Sequence, residues 1–385
     1  MDVSGEAVRN PLVTDPAIGR VHMRGLRLAV AGVLAAAVVL PVAPAAAVAP
    51  AVEPAVEPAS PAQPATLTFA SFNICKVNCG DEAGLPWSLR RERVARVIAT
   101  SNADVIGLQE ATNNSTQWAK RQVDDVEQLI APAGYEKVSF PLSGNACRRP
   151  RSSSGKLAGP SPCDNTSALF YRSSTIQQAT LPTGGASAGI VQLGDIAPGQ
   201  DARSASRSVM WSYLQPRSGG TPFLAIALHT DSAKDDVAEA SRVAIGRGLT
   251  GWVAAMNNLA GLPGAPAVLM ADLNSFAKRQ PQGAQRQLTD TGWVDAFSAP
   301  QRANVRYSTV NHSATYGLTG FPSAPRLQKI TKRNPLGEAP RIDYVMGLGA
   351  APVSYETVMH LNGRAFYPDF QASDHQMVKA VMTLG

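Results

Sequence analysis

What this chain lacks is informative. Its 385 residues include only four cysteines and five histidines, aromatic residues make up 6%, and charged residues make up 17%. Cys75, Cys79, Cys147 and Cys163 do not show the paired C-x-x-C spacing of a structural zinc site. No internal repeat is present beyond "AVEP", which occurs twice in residues 48–65, so a solenoid or propeller is excluded. No apolar run is long enough for an easy membrane span. The main candidate, "LAVAGVLAAAVVL" (28–40), stops at Pro41. Exposed-looking aromatics do not cluster on a loop, apart from Phe321 and "AFYPDF" (365–370), so an insertion device for a lipid interface is poorly represented.

The apolar run at 28–40 follows a basic "MRGLR" and precedes the small residues of "PAAAV". That order is the pattern of a secretory signal, with cleavage expected near Ala47. Met23 gives a more ordinary signal-peptide start than Met1, and an N-terminal anchor helix is the competing reading. Residues 48–65, rich in Pro and Ala, cannot bury a core and are expected to form an extended linker. The folded unit is therefore expected over 66–385. In an exported chain an even cysteine count reads as two disulfides. Three pairings are open. Cys75–Cys79 and Cys147–Cys163 are expected because each closes a short polar loop, and a four-cysteine zinc site is the alternative. The net charge of +6 favours a polyanionic partner without requiring one.

Hydrophobic residues make up 44% of the chain, enough for a sizeable core. Short apolar runs alternate with helical spacing. Strands are expected at 67–74, 103–110, 167–172, "SVMWSYLQ", "PFLAIALHT", "PAVLMADLN", 340–346 and 373–384. Helices are expected at 88–101, with Ser88 as N-cap and Leu89, Val94, Val97 and Ile98 on one face, and at 116–134 and 235–260. Strands spread through the sequence with helices between them give an α/β domain, and the hairpins make its sheets mixed. The loops 141–166 and 298–340 are long enough to be functional.

The apolar strands end in polar side chains with unusual regularity. "SFNI" carries Asn73, "VIGLQE" ends in Glu110, and "LAIALHTD" ends in His229 with Asp231 beyond it. "VLMADLN" ends in Asp272 and Asn274, "RIDYVM" begins its apolar run at Asp343, and "SDHQMV" opens with Asp374 and His375. Strand ends along one edge converge on a crevice. The acids among them have no basic neighbour in sequence, so together they call for a cation. Oxygen donors suit Mg²⁺, Mn²⁺ or Ca²⁺ and not zinc.

The order "FN…LQE…LH…DLN…RIDY…SDH" resembles the endonuclease/exonuclease/phosphatase superfamily, the deoxyribonuclease I-like enzymes, across essentially all of 66–385. The resemblance implies a four-layer α/β/β/α sandwich of two mixed β-sheets flanked by helices, and a divalent-metal-dependent phosphoric ester hydrolase. It also implies roles. Glu110 would be the chief metal carboxylate, with Asn73 and Asp374 beside it. Asp272 would prepare the attacking water and Asn274 would hold the phosphate oxygen. His375, oriented by Asp343, and His229 would contact the phosphate or carry protons. Arg207, on the strand "SRSVMW", is a lesser candidate for a phosphate contact, and Tyr171 is read as structural. A catalytically inactive binding protein of the same fold would lack some of these positions, and none is missing.

Substrate choice in this superfamily lies in the loops. Residues 302–341 contain Arg302, Arg306, Arg326, Lys329, Lys332, Arg333 and Arg341 against a single acid, Glu338, and residues 147–163 add Arg148, Arg149, Arg151 and Lys156. Such loops suit a nucleic-acid backbone. The expectation is a secreted nuclease acting as a monomer with no stable protein partner. A sphingomyelinase-type phospholipid hydrolase or an inositol-phosphate phosphohydrolase is the alternative.

Overall fold

The computed structural model describes residues 64–385 except 80–84, 113–115, 118, 120, 141–166, 278–279 and 312–337. All of these belong to one compact unit, Ser60–Gly385. The expected signal segment, nearly all of the linker and the Cys147–Cys163 pair lie outside the described residues. No helix among the described residues is long and apolar enough to cross a membrane.

Sixteen strands and six helices follow one another along the described residues. The first part runs β1 (Ala65–Asn73), α1 (Trp87–Ser101), β2 (Val105–Gln109), α2 (Gln122–Ile130), β3 (Tyr135–Lys137) and β4 (Ser167–Arg172). Then come β5 (Ile176–Gln178), β6 (Ala188–Gln192), the single turns α3 (Leu193–Ile196) and α4 (Ala202–Ala205), β7 (Ser208–Pro216), β8 (Phe223–His229) and α5 (Asp236–Ala260). The chain continues through β9 (Ala267–Asp272), α6 (Ala284–Asp290), β10 (Val294–Asp295), β11 (Gln301–Ala303), β12 (Asp343–Leu348) and β13 (Ala350–Thr357). It finishes with the small hairpin β14 (Leu361–Asn362) and β15 (Ala365–Phe366), and with β16 (Val378–Leu384).

Two mixed seven-stranded sheets result. One has the order β11-β13-β16-β1-β2-β4-β3; the other runs β10-β12-β9-β8-β7-β5, with β6 also paired to β7. Period-2 alternation explains how they stack. In β8, Phe223, Ala225 and Ala227 face the other sheet, whereas Leu224, Ile226 and Leu228 face α5 and α6. In β1, Leu67 and Phe69 turn inward, whereas Ala70 and Phe72 pack under α1 and α2. Both faces of each central strand are thus buried, which is why these strands read as continuous apolar runs. The layers are helix, sheet, sheet, helix, as the sequence predicts.

Register places the strand ends. β1 and β2 are parallel with Asn73 opposite Gln109. β8 and β9 are parallel with His229 opposite Asp272, and β12 runs antiparallel to β9 with Asp343 opposite Asp272. His229, Asp272 and Asp343 therefore form one row across three adjacent strands. The chain folds this way because each run turns polar at the same depth in the sheet.

Local details differ from the sequence reading. Helix α1 begins at Trp87 after Pro86 and has no side-chain cap, so Ser88 lies inside the first turn. Pro86 is itself the N-cap, in extended conformation, and has no side-chain acceptor to offer the first turn. Leu89 is exposed, and Arg90 is buried in its place. Helix α2 starts only at Gln122 and passes into a 3₁₀ turn at Ala131–Ala133, where Pro132 occupies the helix-breaking position. Helix α5 does begin where expected, with the Asp235 side chain accepting the Ala238 N–H at 2.8 Å. Arg207 precedes β7 instead of lying on it, and "SDH" precedes β16, with His375 bridged to Val310.

Gly107 sets the spacing between the sheets. A Cβ there would sit 2.5 Å from the Met270 Cβ and 3.4 Å from the Ala227 Cβ. Two residues on, the Gln109 side chain crosses the gap to the Met270 carbonyl at 3.1 Å. Gly107→Ala should destabilise the fold by about 1–3 kcal/mol, the usual cost of overpacking. The check is a lower denaturation midpoint with an unchanged denaturant slope.

Candidate active site

The two sheets meet at the carboxyl ends of β1, β2, β8 and β9, and the polar strand ends gather there. Asn73, 1% exposed, links the sheets. Its Nδ2 donates to Glu110 Oε1 at 3.3 Å and to Asp272 Oδ2 at 3.0 Å, while its Oδ1 accepts the Cys75 N–H at 3.0 Å. Ser373 Oγ donates to the Asn73 carbonyl at 2.7 Å, tying in the chain just before β16.

Glu110 follows β2 in a left-handed conformation, φ 56°. An uncommon backbone for a non-glycine residue often marks a site held by its surroundings. The Lys76 N–H holds Glu110 Oε2 at 3.0 Å. Burial alone would push this carboxyl up, but the His229 ring, the Lys76 N–H, His375 and the Asn73 amide outweigh it, and the group ends below its ordinary value. Asp374 goes the other way. Burial and then the Glu110 charge push it up against the pull of His375, and its one side-chain donor among the described residues is Ser373 Oγ at 3.3 Å. Among the described residues, neither Glu110 nor Asp374 is paired with a lysine or arginine.

Asp272 sits at the centre. Its Oδ1 accepts the Asn274 N–H at 2.9 Å. Its Oδ2 lies 3.4 Å from His229 Nε2 and 3.9 Å from His375 Nε2. Burial pushes this carboxyl up. Asn274 adopts φ 46° and uses one amide hydrogen on the Thr230 carbonyl at 3.2 Å, leaving the other available.

The two histidines are tuned apart. His375 Nδ1 lies 3.0 and 3.1 Å from the two Asp343 oxygens. Burial disfavours its charge, but Asp343, then Asp374 and Asp272, raise it well above the ordinary histidine value. His229 is pushed down, first by burial and then by Arg207, in spite of Asp272. Its Nδ1 is buried without a hydrogen-bond partner. The two rings are thus pushed in opposite directions, the kind of separation that acid–base chemistry uses.

Oxygen donors at Glu110 and Asp374, which line one cleft and act on each other's charge without a lysine or arginine partner among the described residues, fit a hard divalent ion. A second group, Asp272, Asp343 and His375, also has ligand atoms within 4.8 Å of one another. In that group Asp343 and His375 already satisfy each other, so the Glu110–Asp374 pair has the greater need of an ion. An open cleft of about 880 Å³ reaches both from outside, lined also by His229, Asn274, Phe276 and the first turn of α5.

Other expected residues sit differently. Arg207 lies 3.6 Å from Asp231 and is depressed by burial, while feeling the charges of Asp272 and Glu110. It is at the rim of the cluster but already engaged. Arg302 pairs with Glu338 at 3.2 Å, and Arg341 pairs with Asp295 at 2.5 Å beneath Phe297 and Tyr344. Both are structural, not free loop cations, because each has an acid and an aromatic face to pack on. Arg306 lies over Tyr307. The remaining basic residues of the two loops, and Phe321, fall outside the described residues. Cys75 and Cys79 form the expected disulfide.

Sequence reading missed Arg90, Ser373 and Gln109. Arg90 is buried, and its guanidinium donates to the carbonyls of Ile74, Cys75, Lys76, Leu85 and Ala372. Nothing in "RRER" separates it from its exposed neighbours. Gln109 was visible as the polar residue before Glu110 in "LQE".

Comparisons with known proteins agree with this fold. The sequence matches the endonuclease/exonuclease/phosphatase family over residues 70–375. No curated protein matches it. Among solved structures, a Bacteroides vulgatus endonuclease/exonuclease/phosphatase superposes with a TM-score of 0.55 at 20% identity, covering 83% of this chain and 100% of that one. A mannosyl-6-phosphatase of Bacteroides thetaiotaomicron gives a TM-score of 0.55 at 20% identity, covering 82% and 99%. An endonuclease/exonuclease/phosphatase of Beutenbergia cavernae gives 0.53 at 20%, covering 83% and 72%. At these identities the likeness concerns the fold. The family match spans both sheets and every strand end that carries the cluster, and on that basis the chain belongs to the endonuclease/exonuclease/phosphatase family, whose members are phosphoester hydrolases.

Proposed function

We propose that this protein is a secreted, divalent-metal-dependent phosphodiesterase that hydrolyses nucleic acid by attack of water on phosphorus. The observation that carries the reading is the half-buried pair Glu110 and Asp374, without a lysine or arginine partner among the described residues, beside an Asp272 that faces two oppositely tuned histidines. Glu110 and Asp374, with Asn73 alongside, would hold Mg²⁺, Mn²⁺ or Ca²⁺. When bound, such an ion neutralises phosphate charge and acidifies water.

The chain's own residues do the rest. Asp272 is positioned through Oδ2 to take a proton from the attacking water, and the Asn274 N–H on Oδ1 fixes its orientation. Asn274 directs its free amide hydrogen at a non-bridging phosphate oxygen. Asp343 locks the His375 ring through Nδ1, so Nε2 is the atom that donates to the phosphate or to the leaving oxygen. His229, pushed down by burial, is the second donor at the same phosphate. Arg207 contributes charge at the rim. Phosphoryl transfer needs this kind of positioning and charge stabilisation more than covalent help.

Nucleic acid is supported by the basic residues of 141–166 and 302–341, although Arg302 and Arg341 no longer count toward that argument. One observation favours a second reading. The cleft wall at the start of α5 carries the acids Asp235, Asp236 and Glu239 beside Lys234 and Arg242, with Glu239 paired to Arg242 at 2.8 Å and Asp235 to Arg203 at 3.3 Å, so it is of mixed charge and not basic. Carboxylates accept hydrogen bonds from hydroxyl groups, which suits a sugar or inositol phosphate. The structurally similar Bacteroides protein named mannosyl-6-phosphatase is in keeping with that alternative.

Three outcomes are expected. Asp272→Asn and His375→Ala should each lower kcat by about 10²–10⁴-fold, the range of general acid–base contributions, measured on a variant whose circular dichroism matches the native protein. Near-native turnover in either would overturn the assignment. Chelation by EDTA should abolish phosphodiesterase activity and Mg²⁺ should restore it; full activity in excess chelator would remove the metal from the scheme. Binding of duplex DNA should weaken steeply with salt, with a log–log slope of about −0.9 per neutralised phosphate. A flat salt response, together with faster turnover of sugar or inositol phosphates in a parallel panel, would select the second reading.

A further inference from the structure

The Cys75–Cys79 disulfide lies against the active site. The potential ligand atoms of Cys75, Cys79 and Asp374 all fall within 4.8 Å of one another. Cys75 is fully buried, Cys79 is half-buried, and Asp374 opens onto the cleft. The structure shows the pair oxidised.

The backbone around the two sulfurs is fixed by contacts that do not involve the disulfide. Arg90 donates to the Ile74, Cys75 and Lys76 carbonyls at 2.9, 3.3 and 3.0 Å. The Gln122 amide donates to the Cys75 carbonyl at 3.2 Å, and the Cys75 N–H is held by Asn73 Oδ1 at 3.0 Å. The Cys79 N–H closes a turn onto the Lys76 carbonyl at 3.0 Å. Breaking the S–S bond therefore leaves both sulfurs near Asp374. Two cysteines at C-x₃-C spacing with a carboxylate make a three-ligand set that suits a soft divalent cation, with water as the fourth ligand.

We propose that, once the disulfide is reduced, Cys75, Cys79 and Asp374 form a binding site for a soft divalent cation such as Zn²⁺, and that this ion draws Asp374 away from the hard cation beside Glu110. Reduction by a phosphine transfers two electrons to the disulfide. Water supplies the oxygen of the phosphine oxide, and each sulfur leaves with a proton. Cation binding then forms two S–metal bonds and releases the two thiol protons. The oxidised protein has no such site, because both sulfurs are bonded to each other. The effect on catalysis rests on the reading of Asp374 given above; the existence of the site does not.

The test uses the full chain, reduced with a phosphine and freed of excess reductant, with Co²⁺ as the spectroscopic probe. The reduced protein should develop a thiolate-to-cobalt charge-transfer band saturating at one equivalent, and the oxidised protein should not. The band should disappear in Cys79→Ser, weaken in Asp374→Asn, and survive in Cys147→Ser/Cys163→Ser. A folded reduced protein without the band, a band that follows Cys147 and Cys163, or loss of the fold on reduction would each overturn the proposal. In a second arm, one equivalent of Zn²⁺ should remove activity from the reduced protein but not from reduced Cys79→Ser. Equal inhibition of both would overturn the competition. An oxidised protein inactive on every phosphate ester would instead sink the hydrolase reading and leave the cobalt result standing.

Discussion

The side-chain amide of Asn73 is the contact on which the arrangement depends. It stands at the end of β1 in one sheet and donates both to Glu110 in the same sheet and to Asp272 in the other. A single –NH₂ group has two hydrogens, and here each is given to a different carboxylate. That fixes the distance between the two acids to what one amide can span. The close approach of the sheets at Gly107 makes the bridge geometrically attainable, and Ser373 holds the far side of the same residue.

Burial then sets the chemistry. Ionised carboxylates withdrawn from water cost several kcal/mol each unless compensated, roughly. The cluster compensates them unequally. Glu110 gains the Lys76 N–H and the Asn73 amide, and it stays ionised. Asp343 gains the His375 ring. Asp374 gains almost nothing and is pushed upward. The unequal distribution gives the cluster direction: one edge, Glu110 with Asp374, has no lysine or arginine partner among the described residues, while the other edge has His375 held directly on Asp343. A phosphate drawn between a cation on the first edge and the His375 imidazolium on the second would be held on both sides.

Much of this was legible in the sequence, and the reason is geometrical. A strand buried on both faces must be apolar along its length, so a polar residue at its end stands out, and parallel neighbours bring such ends to the same side. Asn73, Glu110, His229, Asp272 and Asp343 were all found by that rule, and the mixed α/β architecture follows from the same strands, whereas the four layers came from the family resemblance. What was not legible depends on packing between distant segments. Arg90 and Leu89 are neighbours in a charged helix, and only the fold decides that the arginine goes inside and the leucine outside. Arg302 and Arg341 look like loop charge until Glu338, Asp295 and Phe297 are placed against them. Helix α1 starts beside Pro86 and α2 ends just before Pro132, which spacing alone does not weigh against periodicity, whereas the late start of α2 at Gln122 follows Arg121 and no proline.

Arg90 also shows why the loop after β1 can carry ligands at all. Residues 74–76 leave the sheet with their carbonyls directed inward, and Cys75 takes φ 60°, an unfavourable backbone for a residue with a Cβ. Buried carbonyls without donors cost free energy comparable to lost hydrogen bonds. One guanidinium, with five N–H donors in a rigid fork, satisfies all three and also reaches Ala372 beside the Asp374 segment. A lysine has no fork to divide among these acceptors. The same interaction therefore does two things: it makes the turn tolerable, and it fixes the Lys76 N–H on Glu110 and the chain before Asp374 relative to one another. The positions of both carboxylates trace back to a helix residue that touches neither.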